Sequence, residues 1–149
     1  MTDESSWLVD TNILVHVARG SPLGRHIVED LALRARSLTP FVSIITVGEV
    51  KALMQHFDWG AKKLAYIHEV LAELVVVDIR PAPVLDAYAV VDNWRIDQGI
   101  GLGQNDRWIA ACALATDATV LTTDHAFMRF EGIALKCRWL DPSVSYSTV

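Results

Sequence analysis

Four carboxylate residues of this chain lie at predicted strand ends, at a helix start or on the inner face of a helix: Asp10, Glu49, Asp106 and Asp124. If the four side chains met in one site, they would repel one another and raise each other's pKa values unless a cation joined them. Ligand sets made only of oxygen atoms select hard ions such as Mg²⁺ or Mn²⁺. Clustered acids holding one or two such ions suit phosphodiester hydrolysis, so the first hypothesis is a metal-dependent phosphodiesterase.

Asp10 and Asp124 each end a short apolar run in the same manner. Asp10 follows the run 7–9 and precedes a helix predicted to begin at Thr11, and Asp124 follows a strand predicted over 118–122. Ligand sites in open α/β sheets lie beyond the carboxyl ends of the strands, so the two carboxylates would meet if their strands are neighbours. The alternative is that Asp10 only caps its helix by accepting a hydrogen bond from the first amide groups.

Glu49 and Asp106 also have two interpretations each. Glu49 has mainly apolar helical neighbours, and burying a lone carboxylate is costly unless it is paired, hydrogen-bonded or bound to a cation. It could instead lie at the rim of that face and pair with Lys51 or a distant arginine. Asp106 precedes the apolar segment 108–115, a predicted buried helix whose dipole favours an anion at its start. A cap or first-turn role would explain Asp106 equally well.

The elements that must position these acids alternate between strand and helix along the chain. This alternation predicts an α/β fold with three layers, α/β/α, and a mainly parallel central sheet. An amphipathic stripe predicts a helix over 24–38, and Ser43 is a predicted cap for a helix that continues toward His56. The β-branched run 74–79 is typical of a strand buried in a parallel sheet. Trp59 lies in the break after the helix that continues toward His56, and it is compatible with either the core or a partner surface.

Composition favours one domain in the cytosol. The chain has 149 residues, of which 52% are hydrophobic, which predicts a single domain over residues 1–141 and a polar tail over 142–149. The first residues lack the basic and apolar regions of a signal peptide, and no apolar stretch is long enough to cross a bilayer. The net charge of −5 argues against a broadly basic nucleic-acid surface, but a bound divalent cation would offset an acidic cluster.

Four ordered motifs, VDTNILV, SIITVGEV, NDRWIAACALA and LTTDHAF, resemble those of the PIN-domain ribonucleases, specifically the VapC toxins of toxin-antitoxin pairs. The resemblance spans nearly the whole chain and assigns Asp10, Glu49, Asp106 and Asp124 to the acidic quartet of that family. The glycines before NDRWIAACALA and the 132–139 ending further resemble the subgroup that cleaves initiator tRNA.

This resemblance implies an endoribonuclease that depends on Mg²⁺ or Mn²⁺, hydrolyses single-stranded RNA, acts as a dimer and is silenced by a cognate antitoxin. It further implies that Asp10, Asp106 and Asp124 hold the metal and that Glu49 orients or deprotonates the attacking water. Three further side chains could hydrogen-bond to the acids and orient them, although a cap or turn role explains each equally. They are Asn12, Ser43 and Thr122.

Basic side chains must also meet the RNA, because phosphate contacts dominate nucleic-acid binding. The candidates nearest the motifs in sequence are Arg19, Arg25, Lys51, Arg107 and Arg129.

Two rival functions remain open from the residues alone. A receiver-type phosphoacceptor domain is suggested by Asp78, Thr122 and Lys136, but Asp10 is not followed by the adjacent second acid that such a domain needs. A dehalogenase-like phosphatase fails similarly, because Asn12 lies where its second aspartate is required. The other rival is a noncatalytic PIN-like interaction module.

Overall fold

Five short parallel strands form the central sheet of the computed structural model, which describes residues 5–144. The strands are β1 (Trp7–Val9), β2 (Phe41–Ser43), β3 (Val75–Val77), β4 (Thr119–Thr122) and β5 (Lys136–Trp139). Their order across the sheet is β3-β2-β1-β4-β5, and all neighbouring pairs are parallel. The carboxyl ends of β1 and β4 are therefore adjacent on one edge of the sheet.

Helices cover both faces of this sheet. Those of the described range are α1 (Thr11–Arg19), α2 (Pro22–Arg25), α3 (Ile44–His56), α4 (Ala61–Glu73), α5 (Ala82–Gln98) and α6 (Gln104–Thr116). Successive side chains of a strand point to opposite faces, and β1 shows this directly. Trp7 and Val9 pack with α1, α3 and α4, whereas Leu8 packs with α5 and α6. The predicted three-layer α/β/α fold with a parallel sheet is confirmed.

The helix predicted over 24–38 is wrong. The chain instead forms α2, a π-helical turn (His26–Asp30) and a 3₁₀ turn (Leu33–Ala35). Ala32 separates the two turns with a φ of 53°, in the left-handed region. A right-handed helix cannot continue through such a residue, although the apolar stripe does not reveal it.

The interpretation of 74–79 as a buried strand is also wrong. Only Val75–Val77 form a strand, β3, and it lies at the edge of the sheet. Val75 is 45% exposed and Val76 is 47% exposed. β-Branched residues favour a pleated backbone wherever the strand lies, so composition does not show its place in the sheet. Trp59, whose location the sequence leaves open, is only 8% exposed and belongs to the core.

The predicted polar tail over 142–149 is described only in part, because residues 145–149 lie outside the described range. In the range that is described, the helices are all too short or too polar to cross a membrane.

Candidate active site

Asp10 connects the end of β1 to the start of α1. Its Oδ1 accepts a hydrogen bond from the amide of Thr11 at 2.7 Å, so Asp10 does cap the helix. Its Oδ2 accepts a second hydrogen bond from the hydroxyl of Thr122, at the end of β4, also at 2.7 Å. Burial raises the pKa of the Asp10 carboxyl, and these two hydrogen bonds only partly oppose the effect. A buried carboxylate held by the start of α1 and by β4 would gain from a nearby cation.

Glu49 projects from α3 toward the start of α1. The hydroxyl of Thr11 donates to Glu49 Oε1 at 2.7 Å, and the Thr11 and Thr46 hydroxyl oxygens are 3.1 Å apart. The amide Nδ2 of Asn105, at the start of α6, lies 3.4 Å from Glu49 Oε2. Glu49 is therefore hydrogen-bonded to polar groups of two other helices rather than ion-paired with Lys51.

Asp106 lies in the first turn of α6. Burial raises the pKa of its carboxyl to about 6, and repulsion from Asp10, Asp124 and Glu49 adds to the increase, in that order. The three other acids are therefore close enough to disfavour the ionised form of Asp106. This effect is the one expected when carboxylates converge.

Asp124 follows β4 and caps the 3₁₀ helix His125–Ile133. Its Oδ1 accepts a hydrogen bond from the amide of Ala126 at 2.9 Å, and its own amide donates to the Thr122 hydroxyl at 2.9 Å. Thr122 therefore contacts both the Asp10 carboxylate and the Asp124 backbone. One hydroxyl thus fixes the spacing between the carboxyl ends of β1 and β4.

The four acids line a single open pocket of about 400 Å³ at the carboxyl edge of the sheet. The complete lining is Asp10, Thr11, Asn12, Glu49, Ala52, Leu53, Asp106 and Asp124. Each acid comes from a different part of the chain, and this lining contains no lysine or arginine. The pocket therefore concentrates negative charge that no basic lining residue offsets.

The three side chains predicted to orient the acids lie in different surroundings. Asn12 is exposed and lines the pocket, and Thr122 is buried behind it in contact with Asp10. Ser43 does not line the pocket. Its hydroxyl caps α3 through the amide of Ile45 and accepts from the thiol of Cys112. Ser43 thus supports α3, the helix that carries Glu49.

The donor set of the pocket fits a small hard cation. Mg²⁺ keeps several of its waters and is bound through one or two carboxylates. Among residues 5–144, no three acidic, histidine or cysteine side chains lie close enough together to bind one ion directly. The arrangement therefore suits an ion held by one or two carboxylates and hydrogen-bonded through its waters to the others.

Thr11 is a polar residue of the pocket that the sequence argument did not select. Its amide bonds to Asp10 and its hydroxyl to Glu49, so it connects two of the four acids. The available signal was its position directly after Asp10 at the start of α1. The partner acid is 38 residues away in the chain, so spacing alone could not identify this contact.

The basic side chains near the motifs are not equivalent. Arg107 donates to Asp92 Oδ1 at 2.6 Å and is only 17% exposed, so an acid of α5 already holds it. The other four are exposed and form no ion pair among the described residues: Arg19, Arg25, Lys51 and Arg129.

The three residues of the receiver alternative are not brought together. Asp78 follows the edge strand β3 and accepts from the amide of Arg80. Lys136 contacts Asp117 instead, with its Nζ 3.0 Å from a carboxylate oxygen. Thr122 is bonded to Asp10, so the geometry gives no support to a phosphoacceptor site at Asp78.

The protein is a parallel α/β protein with an acidic pocket at the carboxyl ends of its strands. Strand ends and helices together supply the carboxylates of that pocket. Residues 7–133 match the family model described as the PIN domain. The chain belongs to the PIN domain family, as its motifs predicted.

Several solved structures have the same fold. VapBC2 from Rickettsia felis, bound to a promoter DNA fragment, is 20% identical, with a TM-score of 0.71 over 91% of this chain and 98% of that one. FitAcB from Neisseria gonorrhoeae is 25% identical, with a TM-score of 0.69 over 91% and 97%. VapBC-5 from Mycobacterium tuberculosis is 19% identical, with a TM-score of 0.68 over 91% and 99%. A comparison with curated proteins finds no match.

Proposed function

We propose that this PIN-domain protein is a toxin of the VapC type, an endoribonuclease that depends on Mg²⁺ or Mn²⁺. The observation that carries the proposal is the convergence of four carboxylates in one pocket whose lining contains no basic residue. Burial, with repulsion from the other three acids, raises the pKa of Asp106 to about 6, which supports the same conclusion because a bound cation would offset both effects at neutral pH.

The four acids would have different roles, because their hydrogen-bond partners differ. Asp10, Asp106 and Asp124 would together hold the metal, one or two of them directly and the rest through its bound waters, and the metal when bound would supply water activation and charge stabilisation on the phosphate. Glu49 is oriented by Thr11 and would align the attacking water or accept its proton. Thr122 fixes the direction of the Asp10 carboxylate, and Asn12, which is exposed and lines the pocket, would be accessible to the substrate.

The structural neighbours suggest how such an enzyme is controlled. The structures from Rickettsia felis and Mycobacterium tuberculosis are VapBC complexes, and the latter is described as a toxin-antitoxin system. We therefore propose that a cognate antitoxin protein silences this chain, that the chain forms a homodimer, and that it acts in the cytoplasm. Transfer RNA is the proposed substrate class, on the basis of the motif resemblance.

The test is a cleavage assay with the purified chain free of antitoxin. Total tRNA is incubated with Mg²⁺, Mn²⁺ or EDTA, and the products are separated on a denaturing gel. We expect discrete fragments with either metal and no cleavage in EDTA. The variant Asp10→Asn should fold, since an amide keeps the shape of the side chain, and should lose at least about a hundredfold in rate if Asp10 holds the metal.

Two outcomes would contradict the proposal. Smooth degradation that persists in EDTA and in Asp10→Asn would indicate a contaminating nuclease. An absence of cleavage with any RNA, together with tight binding of a partner protein, would instead favour the noncatalytic interaction module.

A further inference from the structure

Two aromatic rings, an exposed Phe57 and a mostly buried Trp59, stack between two cationic side chains where α3 ends and α4 begins. The guanidinium carbon of Arg19 lies 4.8 Å from the centre of the Phe57 ring. The Phe57 and Trp59 rings stack at 6.3 Å with 19° between their planes, and Lys63 Nζ lies 5.5 Å from the Trp59 ring. We name these four residues the Arg19 stack.

The Arg19 stack lies on the same helix pair as the acidic pocket. Thr11 contacts Glu49 at the start of α1, and Arg19 contacts Phe57 at its end. Arg19 lies eight residues after Thr11, and Phe57 lies eight residues after Glu49. The helices α1 and α3 therefore run side by side in the same direction. At 1.5 Å per residue, the stack is about 12 Å along the helices from Glu49. Leu53, which lines the pocket, lies between the two contacts.

The cations of the stack are available to an external anion. Neither Arg19 nor Lys63 takes part in an ion pair among residues 5–144, whereas Arg34 and Arg107 are paired with acids. Phe57 is 42% exposed, although its ring is in contact with Arg19, Trp59 and His56. In the sequence, Asp58 lies between Phe57 and Trp59. It is the one acid in the segment 56–63, which also contains Lys62 and Lys63. Arg25 and Glu29 line a cavity beside Arg19, and with these two residues included the local charge is still positive on a chain whose net charge is −5.

We propose that the Arg19 stack is a binding site for single-stranded RNA, which holds the part of the strand that flanks the bond in the acidic pocket. Surfaces that bind single strands combine cations for the phosphates with aromatic rings or guanidinium planes on which bases stack. The acidic pocket repels phosphate on its own, so a cationic site on the same helix pair would retain the strand. This proposal rests on the proposed function for its substrate class.

An acidic protein segment is the competing occupant. Its carboxylates could pair with Arg19 and Lys63, but they would make no use of the exposed Phe57 ring. Bases use both components, and the stack lies on the same helix pair as the pocket where RNA would be cleaved. The exposed ring and the position of the stack, which lies about 12 Å from Glu49 along α1 and α3 rather than in the pocket lining itself, both favour RNA.

The test measures binding of a fluorescein-labelled, twelve-nucleotide single-stranded RNA to the full chain by fluorescence anisotropy. EDTA is present throughout, so the result does not depend on cleavage. We expect Arg19→Ala and Phe57→Leu each to raise the Kd at least about fivefold. Arg19→Ala should also reduce the slope of log K against log salt by about 0.7, the value for one lost phosphate contact on a single strand.

The matched control is Lys136→Ala, which removes the same charge from the amino end of β5, on the opposite edge of the sheet. It should leave the Kd within about twofold. Arg19 is exposed, so Arg19→Ala carries the test even if Phe57→Leu unfolds; circular dichroism melts check both variants.

Two results would overturn the proposal. One is an Arg19→Ala variant that binds RNA as tightly as Lys136→Ala does. The other is a labelled twelve-residue glutamate peptide that binds as tightly as the RNA and loses as much affinity in the variants, which would assign the stack to acidic proteins. If the tRNA cleavage assay fails while these variants still lose RNA affinity, the enzymatic proposal fails and the binding site stands.

Discussion

Asp10 combines two roles that the sequence presents as alternatives. One carboxylate oxygen caps α1 and the other accepts the Thr122 hydroxyl, so its direction is fixed by the helix start and by the neighbouring strand. A side chain locked in this manner loses little freedom when it binds an ion. Helix capping therefore supports a metal-binding role at this residue.

The raised pKa of Asp106 should make the free energy of unfolding depend on pH. Its pKa is about 6 in the folded chain against an ordinary value of 3.8, so the folded state retains a proton that the unfolded state releases. The metal-free protein should lose stability as pH rises from about 4 through 6. Asp106→Asn removes this titration, and at about 1.4 kcal/mol per pKa unit the full shift corresponds to about 3 kcal/mol. Because Asp106 is only partly buried, solvent screening reduces the expected stabilisation of the metal-free protein at pH 7 to about 2 kcal/mol.

Urea unfolding in EDTA at pH 4 and pH 7 measures this difference. The advantage of Asp106→Asn should nearly vanish at pH 4, where Asp106 is protonated in the folded chain and partly protonated in the unfolded chain. An advantage that is equal at both pH values would contradict an origin in Asp106 ionisation.

Thr11 should matter to catalysis through Glu49. Thr11→Val keeps the shape of the side chain but removes the hydroxyl that bonds to Glu49 Oε1. We expect about a tenfold lower kcat with little change in KM, because the loss misaligns Glu49 rather than the substrate. Steady-state cleavage kinetics measure the two constants separately.

Thr116→Val is the matched control for Thr11→Val. The Thr116 hydroxyl bonds to the Cys112 carbonyl within α6, at the opposite end from Asp106. This variant should cleave at the rate of the unaltered protein. Equal losses of kcat in both variants would show that Thr11 acts through stability alone.

At the scale of the elements, the packing of α2 on α1 depends on a missing side chain. A Cβ added at Gly24 would lie 2.0 Å from the carbonyl oxygen of His16, whereas one added at Gly48 in α3 would meet nothing within 4 Å. Gly24→Ala should therefore cost about 2 kcal/mol through overpacking. Gly48→Ala should add about 0.5 to 1 kcal/mol through better helix propensity.

Chemical denaturation of both glycine variants tests this contrast. Both substitutions add the same methyl group, so a similar effect in the two would contradict the close contact between α1 and α2.

The elements that the sequence predicts well are those whose signals are local. The caps at Asp10 and Ser43 correctly placed the starts of α1 and α3. The failures depend on contacts distant in sequence or on single backbone angles. Ala32 carries no local sign of its left-handed φ, and the exposure of Val75 depends on β3 being at the sheet edge.

The convergence of the four acids in one pocket could be predicted for a related reason. Parallel strands bring their carboxyl ends to one edge, so Asp10 and Asp124 could be expected to meet before the sheet order was known. The contact of Thr11 with Glu49 and the pairing of Arg107 with Asp92 depend on how helices pack across the sheet. No spacing rule within one element predicts these contacts.

For the whole molecule, a net charge of −5 and a pocket of four acids predict stabilisation by divalent cations. An ion that binds only the folded state stabilises it by about 2.7 kcal/mol at a hundred times its Kd. In a chain of this size, MgCl₂ at that concentration should raise the Tm by several degrees. NaCl at matched ionic strength should raise it far less, and Asp10→Asn should reduce the response to Mg²⁺.

Differential scanning fluorimetry with EDTA, MgCl₂ and NaCl measures these shifts. If NaCl reproduces the full effect of MgCl₂, general screening of the negative charge explains the stabilisation and the pocket holds no specific ion.

The order of the strands has a consequence for synthesis on the ribosome. Asp10 is synthesised before its partner Thr122 and before Asp124, the last of the four pocket acids, which belong to β4 and the turn after it. A nascent chain that ends before β4 has neither the hydroxyl that fixes Asp10 nor the fourth carboxylate. Translation interrupted before β4 should therefore release fragments without the assembled pocket, and a cell would meet the complete site only after β4 and the turn that follows it have been synthesised.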